Sequence, residues 1–253
     1  MKIGADPELF LKDTNGLFIS SINIIGGSKS KPRPIRDDGC ALQEDNVAVE
    51  FNIPPASSID SFLESINYNL TFLTDEVKKK GLSLAIVPSA EFSKDQLEHP
   101  HAKEFGCDPD YNAWTRQVNP KPFSKNKQLR SAGGHIHVGF DGEKLNPFDV
   151  VKAMDVFLAL PSLELDDDMR RRELYGKAGA CRLKNYGIEY RTLSNFWLTS
   201  DKLKKWVYNQ TLTSVNFVRE GGYFSNAQGK VIQHCINTSD KLLAKHLLAE
   251  YGM

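Results

Sequence analysis

The sequence predicts an α+β protein with a mostly antiparallel sheet and helices packed on one face of that sheet. Polar and apolar residues alternate along several short segments, which is the pattern of strands with one wet and one dry face. Segments with apolar residues at three- and four-residue steps predict amphipathic helices. These segments follow the strands in blocks rather than in strict βα units. We therefore expect helices on the dry, outer face and a functional site on the wet face.

Length and composition indicate one ordinary globular domain spanning residues 1–253. The chain is 40% hydrophobic and 25% charged, and its 32 Lys and Arg balance its 32 Asp and Glu. Such a balance gives no overall field that would attract nucleic acid or a membrane surface. No apolar stretch reaches the ~20 residues needed to cross a bilayer. The acidic residue Asp6 occurs where a signal peptide would have its apolar region, so we expect no signal peptide.

Four cysteines lie far apart in the sequence, and none forms a Cys-x-x-Cys pair. This spacing predicts reduced thiols in a cytoplasmic protein rather than a disulfide framework. The cysteines are Cys40, Cys107, Cys181 and Cys235.

The predicted helices and one irregular region set the organisation of the chain. Apolar periodicity predicts helices over 58–80, from Asn146, from Ser200 and from Ser239. A strand is expected over 82–92. The proline-rich region that follows has no clear periodicity, and a loop this long in a compact domain is often a functional lid. We therefore predict a loop or lid insertion at roughly 93–130.

Four segments carry charged or metal-binding side chains on the wet face of a predicted strand. They are 4–10 (GADPELF), 44–52 (EDNVAVEFN), 133–139 (GGHIHVG) and 187–191 (GIEYR). Alternation places the following side chains on that face: Asp6, Glu8, Glu44, Glu50, His135, His137, Glu189 and Arg191.

A shared face would bring five carboxylates together, and this crowding points to a metal site. Two carboxylates ~5 Å apart repel by roughly 3 kcal/mol at an effective dielectric constant near 20. Hard cations such as magnesium or manganese relieve this repulsion and accept one imidazole among oxygen ligands. Taken singly, each Glu is typical of a solvated strand edge, and Glu189 with Arg191 is equally compatible with a surface salt bridge.

Two further basic residues are candidates for binding anions. The loop 26–34 contains paired glycines and Lys29, so it is either a solvated turn or a phosphate clamp. Arg130 precedes the His-x-His strand and is either a surface arginine or a bidentate partner of a substrate carboxylate.

Three of the motifs, at 4–10, 133–139 and 187–192, resemble the glutamine synthetase and glutamate–cysteine ligase superfamily. More narrowly, the chain is similar to phage-encoded carboxylate–amine ligases of the "COOH–NH2 ligase type 2" group, from residue 1 to about residue 200. The resemblance implies a curved antiparallel sheet of the glutamine synthetase catalytic-domain type around magnesium ions and ATP.

The resemblance also implies a role for each matching residue. Asp6, His135 and Glu189 would hold a metal at the ATP phosphates. Glu8, Glu50 and Glu44 would hold a second metal near the carboxylate substrate. Arg191 would steady the transferred phosphoryl group, His137 would lie beside the acceptor substrate, and Arg182 would contact a phosphate or carboxylate.

The hypothesis that follows is an ATP-dependent ligase that forms an amide through an acyl phosphate. Its expected partners are a small-molecule or peptide carboxylate and an amine, without nucleic acid or membrane, in the cytoplasm of the host cell of a phage. One alternative is a His-x-His hydrolase or oxygenase that uses zinc or iron. Another is a non-catalytic phage module that retains the fold.

Overall fold

A computed structural model of the chain describes residues 1–103 and 110–253. Within them lie a large sheet and a separate two-stranded sheet. Every strand pair in both sheets is antiparallel. The strands are β1 (Lys2–Lys12), β2 (Phe18–Ile19), β3 (Arg33–Pro34), β4 (Ala41–Asp45), β5 (Ala48–Asn52), β6 (Ser83–Ala85), β7 (Ser89–Glu91), β8 (Tyr111–Asn112), β9 (Gln117–Val118), β10 (Leu129–Ser131), β11 (Gly134–Gly139), β12 (Ala180–Lys184) and β13 (Gly187–Tyr190).

The first strand is the centre of the large sheet. The strand order is β3-β4-β5-β1-β11-β13-β12-β8-β9, and the C-terminal part of β1 also pairs with β2 and β6. The dry face of β1 carries Ile3 and Leu9, and the dry faces of its neighbours carry Val49 and Val138; all four are buried in one core. The expected α+β class with an antiparallel sheet is confirmed.

Helices cover the dry face. Phe62 of the first helix lies 6.1 Å from the ring of Trp197 and 5.4 Å from the ring of Tyr208, between ring centroids. Among the described helices, none is long and apolar enough to cross a bilayer. The helices are α1 (Ile59–Lys78), α2 (Pro100–Lys103), α3 (Pro147–Met154), α4 (Leu160–Ser162), α5 (Arg171–Leu174), α6 (Asp201–Arg219), α7 (Asn226–Thr238) and α8 (Lys241–Glu250).

The predicted helix at 58–80 forms as α1, because a capping residue starts it and one continuous apolar stripe packs it against the core. Ser58 caps the helix by accepting from the Ser61 amide, and the Ser61 side chain completes a capping box. Phe62, Ile66 and Leu73 recur on the buried side. The helices expected from Asn146 and Ser200 also form, with those two residues as their N-caps.

One local prediction was wrong, and one helix was missed. The single strand expected at 82–92 is two strands, β6 and β7, which join different sheets on either side of Pro88. Proline lacks an amide donor and interrupts a ladder. Helix α7 was not predicted, and Gly229 near its start weakens the helical signal. That glycine allows close packing, because a Cβ there would lie 2.3 Å from the Trp114 ring.

The region 93–130 contains short elements instead of one continuous loop. They include a 3₁₀ turn at Asp95–Leu97, α2, β8, β9 and β10. Its role as a lid stays a prediction, and residues 104–109, including the predicted thiol of Cys107, lie outside the described residues. The other three cysteines are free and buried.

A buried carboxyl group connects the helical layer to the sheet. Asp155 begins a π-helical turn (Asp155–Ala159) that continues α3. It accepts hydrogen bonds from Trp114 Nε1 at 2.7 Å and from the Tyr190 hydroxyl at 2.9 Å. Burial raises the pKa of Asp155 to about 7, against the lowering effect of these donors. Tyr190 lies between two residues of the wet-face motif at 187–191, so this contact also fixes that strand.

We expect Asp155→Asn to change the pH dependence of stability. Between about pH 4 and pH 7 the unfolded chain releases the Asp155 proton while the folded chain keeps it, so wild-type stability falls with rising pH by up to about 1.4 kcal/mol per pH unit. The variant lacks this slope. Urea unfolding across the window measures the difference between the two proteins, and a constant difference would contradict the assignment.

Candidate active site

Strand register brings the predicted polar side chains onto one face of the large sheet. Asp6 lies opposite His135, and Glu8 lies opposite Glu50. Glu189 lies opposite His137 on one side and opposite Arg182 on the other. Directly paired residues project to the same face, so β5, β1, β11, β13 and β12 share one polar surface.

This surface is the floor of a cavity of about 430 Å³. Of the residues predicted from the sequence, all but Glu44 line it. Those that line it are Asp6, Glu8, Lys29, Glu50, Arg130, His135, His137, Arg182, Glu189 and Arg191.

One group of possible metal ligands consists of Asp6, His137 and Glu189, whose ligand atoms all lie within 4.8 Å of one another. Asp6 Oδ1 is 2.9 Å from His137 Nε2. Both atoms are buried, and neither has hydrogen-bond geometry to any partner among the described residues. His137 Nδ1 instead contacts the Tyr186 hydroxyl at 2.5 Å. Two close, buried polar atoms without hydrogen bonds fit a cation between them.

His135 lies beside this group instead of within it. Its Nδ1 is 3.5 Å from Asp6 Oδ1 and 3.9 Å from Glu189 Oε1. Burial and the nearby Arg191 lower its pKa to about 4, so the imidazole is neutral at neutral pH. A Cβ at Gly133 would lie 2.2 Å from His135 Nε2, which explains the glycine. The resemblance assigned the metal to His135, whereas the geometry groups His137 with the two carboxylates.

Positive charge surrounds Glu189, which is 1% exposed. Its carboxylate pairs with Arg191, with Lys184 at 2.7 Å and with Arg182 at 3.5 Å. Burial opposes ionisation, but Arg191 and the two histidines outweigh it and lower the pKa of Glu189 to about 2. Lys184 was not predicted as a site residue, although it follows Arg182 at the spacing of two that the other motifs show.

A second group consists of Glu8, Asp45 and Glu50, again with ligand atoms within 4.8 Å of one another. Glu8 accepts from the Gly133 amide at 2.7 Å, and Glu50 accepts from Gln43 Nε2 at 2.9 Å. Burial and the adjacent Asp45 raise the pKa of Glu8 to about 7. Burial and the neighbouring carboxylates raise the pKa of Glu50. Three carboxylates this close repel one another when they are all ionised, and a divalent cation bound among them would relieve that repulsion.

Glu44 is not part of this group, and Asp45 takes the place expected for it. The segment 44–52 is a hairpin with Asn46 at positive φ, not one continuous strand. Pairing across the turn sets Glu44 opposite the buried Val49, so its side chain points away from Glu50. Its carboxylate accepts from the amides of Asn23, Ile25 and Gly26 at 2.8–3.0 Å. Glu44 thus fixes the loop that carries Lys29 to the cavity.

Two buried arginines at the cavity hold main chain in place. Arg130 donates to the carbonyls of Ala102, Lys127 and Leu129 at 2.6–2.9 Å. These backbone contacts differ from the bidentate contact with a substrate carboxylate that we considered from the sequence. Arg171 donates to the carbonyls of Ala132, Arg191 and Thr192 at 2.8–3.2 Å. No sequence signal distinguished Arg171 from its neighbours.

Fold and site together define an α+β protein with a carboxylate-rich, divalent-metal type of site. Comparison with protein families agrees with the motifs: residues 121–219 match the family described as "Phage phiEco32-like COOH.NH2 ligase-type 2". The resemblance drawn from the motifs at 133–139 and 187–192 is thereby confirmed, and the motif at 4–10 lies outside the matched segment. The matched segment contains His135, His137, Glu189 and Arg191.

Solved structures with weak similarity include two described as "GmaS/ADP complex-Conformation 1" and "Crystal structure of novel glutamine synthase homolog". The first is 12% identical, covers 99% of this chain and 69% of its own, and has a TM-score of 0.38. The second is 11% identical, covers 99% and 66%, and has a TM-score of 0.36. No curated protein matches the sequence.

We expect two neighbouring substitutions on β4 to separate metal binding from loop stability. Asp45→Asn should weaken Mn²⁺ binding about tenfold or more, because it removes a ligand of the second group. Glu44→Gln should leave Mn²⁺ affinity unchanged but lower the free energy of unfolding by about 1–2 kcal/mol, because three amides lose a charged acceptor.

Isothermal titration with Mn²⁺ and urea unfolding of both variants measure these effects. Each variant removes one negative charge from adjacent positions, so each serves as the control of the other. Equal losses of Mn²⁺ affinity in the two variants would show that the second group is assigned wrongly.

Proposed function

We propose that this protein is an ATP-dependent carboxylate–amine ligase. The observation that carries the proposal is the pair of ligand groups, Asp6–His137–Glu189 and Glu8–Asp45–Glu50, on the floor of one cavity. Two adjacent cation sites beside arginine and lysine suit a reaction in which two anions, a triphosphate and a carboxylate, must come close together, because the cations neutralise the repulsion between them. The family match over 121–219 supports the ligase class.

The two groups have different surroundings, which suggests a division of roles. Asp6, His137 and Glu189 lie next to Lys184 and Arg182, so this end suits the nucleotide phosphates. Glu8, Asp45 and Glu50 form a cluster of three carboxylates in which the pKa of both glutamates is raised, so a metal there is the expected counter-charge. Magnesium bound at the two groups would supply electrostatic stabilisation of the phosphoryl oxygens.

The reaction that fits this arrangement has two steps. A carboxylate oxygen of the first substrate forms a bond to the γ-phosphorus of ATP, and the bond to ADP breaks. An amine then attacks the acyl carbon of the acyl phosphate, phosphate leaves, and the amine nitrogen loses a proton. Arg191, which pairs with Glu189 and lies 3.5 Å from Asp110, would hold positive charge against the transferred group.

The hydrolase or oxygenase alternative receives less support from the ligand chemistry. The two groups offer one imidazole and five carboxylates, which is a hard, oxygen-rich set that suits magnesium or manganese better than zinc or iron. Metal analysis of purified protein tests this directly. Tightly bound zinc or iron would favour the alternative, and a non-catalytic module would bind ATP without turnover or bind neither.

We expect ADP release when the protein is incubated with ATP, magnesium, and a panel of carboxylates and amines, and no release after chelation of divalent ions. Glu189→Gln should lower the rate about 100-fold or more, because it removes a metal ligand and the partner of three cations. Coupled ADP detection and mass spectrometry of the condensed product measure the two halves of the reaction.

The exposed Glu164 provides a matched control, because it does not line the cavity and its ion pair with Lys245 is long, at 3.7 Å. Glu164→Gln should keep the wild-type rate. The proposal fails if folded wild-type protein releases no ADP with any pair of substrates, or if Glu189→Gln retains full activity.

A further inference from the structure

A second cavity, of about 540 Å³, lies beside the cavity that contains the two candidate ligand groups, which we call the metal cavity. We call the second one the basic cavity, because its wall is strongly basic. Its charged lining residues are Lys94, Lys103, Lys125, Lys127 and Arg130, and no acidic residue is among the described residues that line it. The four lysines come from three separate segments of the region 93–130. Such convergence is unexpected from the sequence, where lysines are scattered between acidic and polar residues.

Within residues 1–103 and 110–253, the four lysine side chains have no carboxylate partner. All four residues are exposed, and none forms an ion pair with a carboxylate in the described parts of the chain. Lys127 Nζ lies 5.0 Å from the centroid of the Phe123 ring, a contact that leaves its charge uncompensated. Like charges around one concave surface repel, so an anion there would be stabilised by all of them.

Arg130 lines both cavities, so the basic cavity and the metal cavity meet at this residue. Its guanidinium donates to the carbonyls of Ala102, Lys127 and Leu129, which fixes the wall between the two cavities. Groups bound in the two cavities would therefore lie on either side of one residue, Arg130.

We propose that the basic cavity binds the carboxylate side chains of an acidic peptide substrate whose reacting group lies in the metal cavity. The inference rests on the proposed ligase function and adds a substrate class to it. Several exposed, flexible lysines around 540 Å³ suit separate carboxylates along a peptide. A single phosphate would instead favour arginine forks or a nest of amides in a smaller space.

Binding of a fluorescein-labelled tetraglutamate peptide to the full chain, followed by anisotropy without ATP, tests the proposal. Lys125→Glu/Lys127→Glu should weaken binding about tenfold or more, because two attractive charges become repulsive. Lys125→Gln/Lys127→Gln should have an intermediate effect. Lys202→Glu/Lys205→Glu, an equal charge change at exposed positions of α6 outside the cavity, should leave binding unchanged.

Three results would overturn the inference: no binding to wild type, equal binding of tetraglutamine, or equal losses in the cavity variant and the α6 variant. Competition by inorganic phosphate or magnesium-ATP, with nucleotide affinity lost in the cavity variant, would assign the cavity to phosphate and also overturn it. Lysine-dependent peptide binding without ADP release would support the binding site and reject the ligase. ADP release without peptide binding would support the ligase and reject the peptide-binding site.

Discussion

The register of β1 is the constraint on which the site depends. This strand pairs with β5 on one side and β11 on the other, so its alternation decides what both neighbours can meet. With Ile3 and Leu9 in the core, Asp6 must face His135 and Glu8 must face Glu50. A slip of one residue would bury the carboxylates and expose the apolar residues. The hydrophobic core thereby specifies the geometry of the polar face.

That polar face is electrostatically uneven. At one end Glu189 is surrounded by cations and its pKa is lowered to about 2, so its charge is compensated within the protein. At the other end Glu8 and Glu50 are buried together with Asp45, and the pKa of each of the two glutamates is raised. At the first end the charge of Glu189 is balanced by neighbouring cationic side chains, whereas at the second end burial and mutual repulsion oppose ionisation of Glu8 and Glu50.

Sequence alternation predicted the site wherever a motif lies on one continuous strand. Asp6, Glu8, His135, His137 and Glu189 meet as expected because β1, β11 and β13 keep a strict period of two. Alternation failed at 44–52, because this segment is a hairpin. The turn at Asn46 interrupts the period of two, so Glu44 and Glu50 project to opposite faces. Asp-Asn is a common turn pair, so the signal for this hairpin was present in the sequence. The period of two is informative only between turns.

The arginines show a limit of a different kind. Arg191 ends one motif and Arg130 precedes another, and the two arginines have different partners in the structure. Arg191 pairs with Glu189 on the floor of the cavity, whereas Arg130 donates to three backbone carbonyls. Carbonyl partners leave no sequence pattern, because every residue supplies one. A guanidinium bound in this way fixes the backbone between the two cavities, including the carbonyl of Lys127, which lines the basic cavity.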